Sequence, residues 1–466
     1  MRNLKRALSL ALAAIMLIGM MVVSASAAGF DDFSDKDEIV NKDAVSMLTI
    51  LGVINGKEDG SFFDPAGNVT RAEMAKMIAT VLNQGADVDG LYVGMNTGLT
   101  DVKGHWAESY INYCYSLGII AGRGNGKFDP AATVTGNEAA KMLLVAAGYD
   151  AQLAGLTGAD WAIKTASLAS TLGIFDNLSV ATSDPLTRDN AALLIYNALD
   201  IEMIQKYENG YAIAFTDHRT ILADKYGVIK VQGVVVANEW ASLASDDGDA
   251  ALKEGKTTIY NGEGIFSTTG NTTVSKEDAS LKTQTFNVST PVDMLGKTVN
   301  LYIKKTTILA DSTVYGDPVV SDVNTVVTTG ETVLYSGAKD PQVDYDKLLG
   351  ENGLTDKDAK YFWNYNSGKY IPNTTEKYGD KTANVKGATL TIIDNNGDGE
   401  VDYVLSVEKA LADITSVNSK KETVTVRTLG TLDNKDVVGY EDMAKEDVVL
   451  YVQYGGRTYL EKPEVV

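Results

Sequence analysis

The sequence predicts a chain in two parts, an α-helical bundle of three repeats followed by all-β modules of the sandwich or small-barrel type. Two observations lead to this prediction. Between residues 30 and 200 one helix–loop–helix pattern recurs three times, and from about residue 205 short runs rich in Val, Thr and Tyr replace it. The length of 466 residues also fits several domains, since one domain has about 150.

Residues 1–28 have the features of an export signal. Arg2, Lys5 and Arg6 precede an apolar run from about residue 7 to 23, and Ala25-Ser26-Ala27 follows it. We expect cleavage after Ala27. The alternative is an uncleaved membrane anchor, because the run is nearly long enough to span a bilayer, but the small-residue site favours cleavage. The mature protein is therefore expected outside the cell, in the wall or surface layer, without a membrane segment.

Composition excludes several classes of protein. The formal net charge of −21 disfavours binding to nucleic acid and to anionic membranes. A single cysteine, Cys114, rules out an internal disulfide, and its apolar neighbours indicate an inert core residue. With only His105 and His218 present, a histidine-rich zinc site and a Ser-His-Asp triad are both disfavoured.

The repeats are defined by landmarks that recur in one order. A turn that begins with glycine occurs at Gly52–Gly56, Gly118–Gly122 and Gly173–Asn177. An Asp-Pro pair follows each turn, at Phe63-Asp64-Pro65, Phe128-Asp129-Pro130 and Ser183-Asp184-Pro185. These landmarks place the three repeats at residues 29–88, 89–152 and 153–204.

The second helix of each repeat shows how the fold is built. In repeat 1 it is predicted from Arg71 to about Asn83, with one apolar stripe at Met74, Met77, Ile78, Val81 and Leu82. Thr70 with Glu73, and Thr135 with Glu138, have the spacing of a capping box. One such unit cannot bury its stripe alone, so the three are expected to pack together.

This region resembles three S-layer homology domains. Repeat 1 shows Phe33-Ser34-Asp35, Asp59-Gly60-Ser61-Phe62 and Thr70-Arg71-Ala72-Glu73, and repeat 2 shows Asp101, His105-Trp106-Ala107 and Phe128-Asp129-Pro130. The resemblance covers a little over a third of the chain. It implies a pseudo-threefold helical bundle that binds secondary cell-wall polysaccharide, commonly carrying pyruvylated sugars.

A pyruvyl carboxylate calls for arginine donors beside free helix N–H groups. Between residues 29 and 200 the only arginines are Arg71, Arg123 and Arg188, one in each repeat. The predicted polysaccharide-binding residues are these three arginines, Trp106 and Trp161 as flat faces for sugar rings, and Asp101. The tryptophans could instead be core residues, whereas capping alone explains Thr70 and Glu73.

The repeats depart from the family pattern unequally. Val40 stands where the other repeats have tryptophan, Gly136 replaces the arginine of repeat 2, and Asn190 replaces the glutamate of repeat 3. We therefore expect one or two ligand grooves, with the groove around Arg71 as the main one and Arg188 in support.

The C-terminal region is predicted to form two β modules, at residues 205–318 and 319–466, the second with a loop insertion at about 340–385. Alternating runs mark the strands, at residues 228–236, 298–303, 321–327, 388–393, 422–426 and 448–452.

One loop in the second module is a possible calcium site. Asp394, Asn396, Asp398, Glu400 and Asp402 supply oxygen atoms, with Gly399 at the sixth position, as in a calcium loop. Leu405 stands where an EF-hand has its bidentate glutamate, and both flanks are strand-like. The alternative is a β-hairpin turn that uses Asn and Gly for their backbone freedom.

These features predict a non-catalytic cell-surface or S-layer protein, anchored by its three repeats, with β modules for self-association in a lattice or for display. The β region shows no recognisable catalytic motif, although paired carboxylates for glycoside hydrolysis are not excluded by counting. The alternatives are a wall-anchored enzyme that degrades polysaccharide, and an adhesin.

Overall fold

The structure is a computed structural model that describes residues 30–57, 60–243, 251–262, 282–304, 312–329, 345–366, 369–372, 388–454 and 457–463. The predicted export signal lies outside these residues. The chain divides into two compact units with a break between Val228 and Ile229, and we describe each unit by itself. In the described part of the chain, no helix is long and apolar enough to cross a membrane.

The first unit contains three pairs of helices. They are α1 (Lys42–Ile50) and α2 (Arg71–Leu82), α3 (Glu108–Ser116) and α4 (Gly136–Ala146), α5 (Trp161–Thr171) and α6 (Arg188–Ala198). The second helix of each pair begins after a threonine cap, and in α2 and α4 both halves of the predicted capping box form.

The helix pairs exchange partners around the unit. The first helix of each repeat packs on the second helix of the preceding repeat, so that α3 contacts α2, α5 contacts α4, and α1 contacts α6. Three backbone hydrogen bonds of 2.9 Å close a ring at the centre: Val69 donates to Leu186, Leu186 to Val134, and Val134 to Val69. Each repeat is thereby tied to both others.

The core of this unit holds the side chains that the repeat pattern predicted. Met74, Ile78 and Leu82 of the α2 stripe are buried, and so are the landmark residues Phe63 and Phe128. Cys114 is fully buried, and burial raises the pKa of its thiol, which fits an inert core residue.

A short hairpin completes the first unit. Strands β1 (Ile204–Glu208) and β2 (Tyr211–Ala214) pair antiparallel. The backbone N–H of Ile204 donates to the carbonyl of Ala147 beyond α4, at 2.8 Å. A π-helical turn, Leu222–Tyr226, ends the unit.

The second unit consists of β-sheets. Its first sheet has the strand order β5-β4-β3-β6-β7, with β3 (Val228–Asn238) at the centre. The outer strands are β4 (Thr257–Tyr260), β5 (Thr283–Phe286), β6 (Thr298–Lys304) and β7 (Val314–Val320). The central strand alternates buried and half-buried residues, as expected for a strand with one face in the core.

Two further sheets follow in the same unit. One has the order β10-β9-β12-β11-β8, formed by β8 (Thr325–Thr328), β9 (Lys360–Asn366), β10 (Lys369–Pro372), β11 (Ala388–Asp394) and β12 (Tyr403–Glu408), with helix α7 (Tyr345–Glu351) before β9. The other has the order β15-β14-β13-β17-β18-β16, formed by β13 (Ala410–Asn418), β14 (Thr423–Val426), β15 (Gly430–Asp433), β16 (Val437–Val438), β17 (Val448–Tyr454) and β18 (Arg457–Glu461).

The predicted order of a helical region followed by a β-rich region is confirmed. The segmentation within the β region differs from the sequence-based one. The hairpin of residues 204–214 groups with the helices, residues 319–466 contain two sheets, and residues 340–385, expected as a loop, include α7, β9 and β10.

Candidate functional site

Arg71 lies at the junction of repeats 1 and 2. It is the first residue of α2, and its side chain crosses to repeat 2, where Nε donates to the carbonyl of Phe128 at 2.9 Å and the guanidinium lies 4.5 Å from the Phe128 ring centroid. Arg71 is only 6% exposed, and burial lowers the pKa of its guanidinium. An arginine at this depth is stable only with compensating partners.

The compensating carboxylate belongs to Glu138. Its Oε1 accepts from Nη1 of Arg71 at 3.0 Å and from Nη2 of Arg123 at 2.8 Å, and its Oε2 accepts the backbone N–H of Thr135 at 3.1 Å. One carboxylate thus faces two guanidinium groups and caps α4 as well. We call Arg71, Arg123, Phe128 and Glu138 the Arg71 groove.

An equivalent arrangement occurs where repeat 3 meets repeat 1. Arg188 begins α6, its Nη2 donates to the carbonyl of Asn55 at 2.8 Å, and its guanidinium lies 5.2 Å from the Phe63 ring centroid. The negative charge of Glu73, the capping glutamate of α2, favours the charged form of Arg188. Lys57 occupies the position of Arg123 and bonds Asp64 at 2.5 Å. We call Arg188, Lys57, Phe63 and Glu73 the Arg188 groove.

The two grooves differ in how fully their arginines are bonded. Nε of Arg188 is buried and has no hydrogen-bond partner among the described residues, whereas Nε of Arg71 has the carbonyl of Phe128. Burial lowers the pKa of Arg188, although the charges of Glu73, Asp64 and Asp35 oppose this effect. A buried donor without an acceptor costs about 1–3 kcal/mol.

The third junction, between repeats 2 and 3, lacks this arrangement. Gly136 stands in place of the arginine, Ser183 in place of the phenylalanine and Asn190 in place of the glutamate. A Cβ at Gly136 would lie 2.9 Å from the carbonyl oxygen of Thr182, so backbone from the shortened loop of repeat 3 fills the position. Two of the three junctions therefore carry arginine.

The expectation of free helix N–H groups beside the arginines is wrong. The backbone N–H of Arg71 donates to Ala132 at 2.9 Å, and that of Arg188 donates to Gly67 at 2.8 Å. The carbonyl groups come from the neighbouring repeat, so the helix starts are used to join the repeats. An anion in either groove would be bound by side chains.

Asp101 supports the loop that carries Phe128. Its two carboxylate oxygens accept the backbone N–H groups of Phe128 and Asp129, both at 2.9 Å, and Asp129 has a left-handed backbone with φ of 56°. Burial works against the ionised form, but these two hydrogen bonds outweigh it, and the pKa of Asp101 is lowered. Asp35 bonds Phe63 and Asp64 in the same way in repeat 1.

The two tryptophans lie at the surface, so the core interpretation is wrong for Trp106, which is 54% exposed. Trp106 packs against the Tyr110 ring at 6.3 Å, and Nζ of Lys76 lies 5.2 Å from that ring. In the same way, Nζ of Lys141 lies 5.3 Å from the half-buried Trp161 ring. Lys141 lies three residues after Glu138 on α4, so the Trp161 ring is near the Arg71 groove. Burial, and then the charge of Arg71, lower the pKa of Lys141.

The loop after β11 is organised by its own hydrogen bonds. The carboxylate of Asp394 accepts three backbone N–H groups, from Asn396, Gly397 and Gly399, at 2.7–3.1 Å. Asn396 and Asp398 each accept the N–H group two residues on, while Glu400 pairs with Lys357. Among the described residues, no three His, Cys, Asp or Glu side chains are grouped to hold a metal ion. Calcium binding here stays a prediction.

Sequence reasoning missed Lys57 of the Arg188 groove, and also Lys76 and Lys141 on the helices that carry the two capping glutamates. Lys57 and Arg123 both follow the glycine turn directly, and Lys76 and Lys141 both stand three residues after the capping glutamate. The repeat alignment contained this signal, because a positive charge recurs at both positions: lysine or arginine after the glycine turn, and lysine in both repeats after the capping glutamate.

Comparison with known proteins supports the family resemblance of the first two repeats. The model of the S-layer homology domain matches residues 32–75 and 98–140. A cell surface protein of Thermoanaerobacter kivui is 28% identical over 58% of this chain and 32% of its own length. The S-layer protein sap of Bacillus anthracis is 30% identical over 30% of the chain and 17% of its own length. An uncharacterized cell wall amidase of the same organism is 31% identical over 26% of the chain and 23% of its own length. The chain thus spans less than a third of these relatives.

Proposed function

Because this chain carries S-layer homology domains and is related to S-layer and cell-surface proteins, we propose that its helical unit anchors it to an acidic polysaccharide of the bacterial cell wall. The protein then acts outside the cell as a structural component of the surface. Its β-sheets serve lattice contacts or display.

The observation that carries the proposal is the excess of cationic groups at and beside the Arg71 groove. Arg71, Arg123 and Lys141 supply three cationic groups, whereas Glu138, which pairs with both arginines, and Asp129, 4.0 Å from Nε of Arg123, supply two carboxylates. Burial, and then the charge of Arg71, lower the pKa of Lys141. The excess is local positive charge in a chain of net charge −21. A sugar carboxylate can satisfy it by bidentate bonding to arginine, with the Trp161 ring as a face for the sugar.

The Arg188 groove is the second proposed site. The unpartnered Nε of Arg188 leaves a donor that an entering carboxylate would satisfy, while the resting groove lacks that bond. Lys76 lies on α2, the helix that provides Glu73, and its Nζ is 5.2 Å from the Tyr110 ring, against which the exposed Trp106 packs. The third junction has no such groups and is not proposed to bind.

We further propose that the three repeats are related by a pseudo-threefold axis. Two features support it: the cyclic exchange of helix partners, and the closed ring of hydrogen bonds among Val69, Leu186 and Val134. On this arrangement the two arginine grooves lie in equivalent positions around the axis.

The proposal is tested by co-sedimentation of the full chain with purified cell-wall sacculi. We expect Arg123→Ala and Arg188→Ala each to weaken binding about tenfold or more, because a charge-assisted hydrogen bond contributes about 1.5–3 kcal/mol. The double variant should lose binding to intact sacculi. The wild-type chain should bind equally weakly to sacculi from which the pyruvyl groups have been removed.

Arg427→Ala is the matched control. Arg427 forms an exposed ion pair with Asp413 at 2.7 Å in the second unit, so its loss removes the same charge away from the grooves. The proposal is overturned if the affinities of Arg123→Ala and Arg188→Ala for sacculi both stay within about twofold of the affinity of Arg427→Ala.

A second candidate function, hydrolysis of the wall, is favoured only by the relation to the cell wall amidase. Release of sugars or peptides from sacculi by the wild-type chain would support it. Ordered sheets after removal of chaotrope would support the structural role.

A further inference from the structure

The second unit contains a cleft beside the Asp394 loop, and its lining includes Asn396 and Asp402 of the predicted calcium ligands. It has a volume of about 520 Å³ and lies between the first sheet, at β3 and β4, and the β11–β12 hairpin of the next sheet. Its lining also includes Gln232, Tyr260, Asn261 and Lys360. The volume falls within the roughly 300–1,000 Å³ that small-molecule sites occupy.

The two walls of the cleft are fixed to each other by buried hydrogen bonds. Oγ1 of Thr298 donates to the carbonyl of Asn395 at 2.6 Å, and Nδ2 of Asn395 donates to the carbonyl of Gly296 at 3.1 Å. Gly296 has φ of 78°, and a Cβ there would lie 3.1 Å from the Ile393 side chain and 3.3 Å from the Tyr403 ring. The cleft is therefore formed before any ligand binds.

The lining offers aromatic surface and many neutral polar groups. Tyr260 is 41% exposed, and Nζ of Lys360 lies 5.8 Å from the ring centroid of the buried Tyr403. Amide side chains come from Gln232, Asn261 and Asn396. Nε2 of Gln232 already donates to Asn300 and Ser321, and Nδ2 of Asn261 donates to the carbonyl of Gln232. The exposed Tyr260 ring, with the carboxylate of Asp402 and the ammonium group of Lys360 in the same lining, suits a ligand with both apolar C–H faces and hydroxyl groups.

The charges of the cleft narrow the class of ligand. Asp358 and Asp402 supply two carboxylates and Lys360 one ammonium group, so the lining has a slight negative excess in a strongly acidic chain. Anionic ligands are disfavoured. One carboxylate oxygen of Asp402 accepts the N–H of Asn395 at 2.8 Å, and a carboxylate can accept more than one hydrogen bond.

We propose that this cleft binds a neutral saccharide, with the Tyr260 ring against a sugar face and with Asp402 and Lys360 bonded to sugar hydroxyls. A hydroxyl can donate to Asp402 and accept from Lys360, which no simple cation or anion does. The site is separate from the arginine grooves, so the proposal does not rest on wall anchoring.

The test is calorimetric titration of the full chain with a panel of neutral tetrasaccharides built from glucose, galactose, mannose or N-acetylglucosamine. We expect at least one to bind, with little dependence on salt. Tyr260→Ala should weaken that binding about tenfold, whereas Tyr260→Phe, which keeps the ring, should retain most of it. Asp402→Asn should weaken binding while keeping an oxygen for the Asn395 N–H.

Tyr211→Ala is the matched control, because Tyr211 is 74% exposed on the hairpin of the first unit. The Tyr211→Ala variant should bind the saccharide as tightly as the wild-type chain does. The proposal is overturned if no panel member binds, or if Tyr260→Ala binds as well as Tyr211→Ala. Salt-dependent binding of N-acetyl-lysine amide in place of the sugars would also overturn it and would indicate a cationic ligand. Sacculus binding by Tyr260→Ala should be unchanged, which separates this site from the proposed anchor.

Discussion

Replacing Glu138 by alanine should destabilise the helical unit far more than the same change at Glu73. Both residues close a capping box at the start of a helix. Only Glu138 also accepts from two arginines, Arg71 at 3.0 Å and Arg123 at 2.8 Å. Glu73 makes its two strongest bonds to its own cap residue, Thr70, at 2.7 and 2.8 Å.

The magnitude follows from these contacts. Loss of a capping box costs about 1 kcal/mol. This is the main expected effect at Glu73, which acts on Arg188 through its charge but makes no hydrogen bond to it. Leaving one member of a buried ion pair without its partner costs about 3–5 kcal/mol. The Glu138 side chain is 18% exposed and Arg123 is 39% exposed, so water offsets part of this cost. We expect Glu138→Ala to lose about 2 kcal/mol more than Glu73→Ala.

The assay is urea unfolding of the full chain followed by tryptophan fluorescence. The four tryptophans are Trp106, Trp161, Trp240 and Trp363. Replacing Trp240 and Trp363 by phenylalanine in every variant leaves only the two reporters of the first unit. Linear extrapolation then gives the free energy of unfolding of that unit, provided that its transition is two-state.

Equal losses at Glu138 and Glu73, within about 0.5 kcal/mol, would refute the reasoning. A second variant tests its cause. Arg71→Met in the Glu138→Ala background removes the unpaired buried charge, and should recover part of the lost stability.

The remaining predictions concern a carboxylate and the calcium loop. The pKa of Asp101 is lowered in the folded chain, so its contribution to stability is present above its unfolded pKa of about 3.9 and is lost as the pH falls through the lower folded value. Asp101→Asn should therefore flatten the acid limb of a stability–pH curve, and an unchanged limb would contradict the assignment. For the loop at Asp394, millimolar calcium should raise the unfolding temperature of the second unit in wild type but not in Asp398→Ala. An equal response of the two chains, including no response in either, would favour the plain hairpin.

The sequence predicted the parts of the site that depend on local order. Thr70 and Glu73 are three residues apart, so their capping box could be recognised without knowing the fold. The same holds for the α2 stripe. The partners of Arg71 could not be recognised in this way, because Phe128 and Glu138 are 57 and 67 residues distant and meet it only after the repeats pack.

The same limit explains the error about the helix N–H groups. A helix start has free donors only until another element supplies acceptors, and here the carbonyls of Ala132 and Gly67 come from neighbouring repeats. The surface position of Trp106 was also hidden, since its own sequence neighbourhood suits a core residue equally well.

The ring that joins Val69, Leu186 and Val134 makes the number of repeats a fixed property of this unit. In an open solenoid each repeat touches only its neighbours, so copies can be added or lost at either end. Here one residue of every repeat both donates and accepts a backbone hydrogen bond in a closed ring. Removing one repeat would leave one backbone N–H and one carbonyl of the ring without partners, and a fourth repeat could join only if the ring opened. The side chains of one junction can therefore differ from those of the others, as Gly136 does in place of arginine, while the ring of three stays closed.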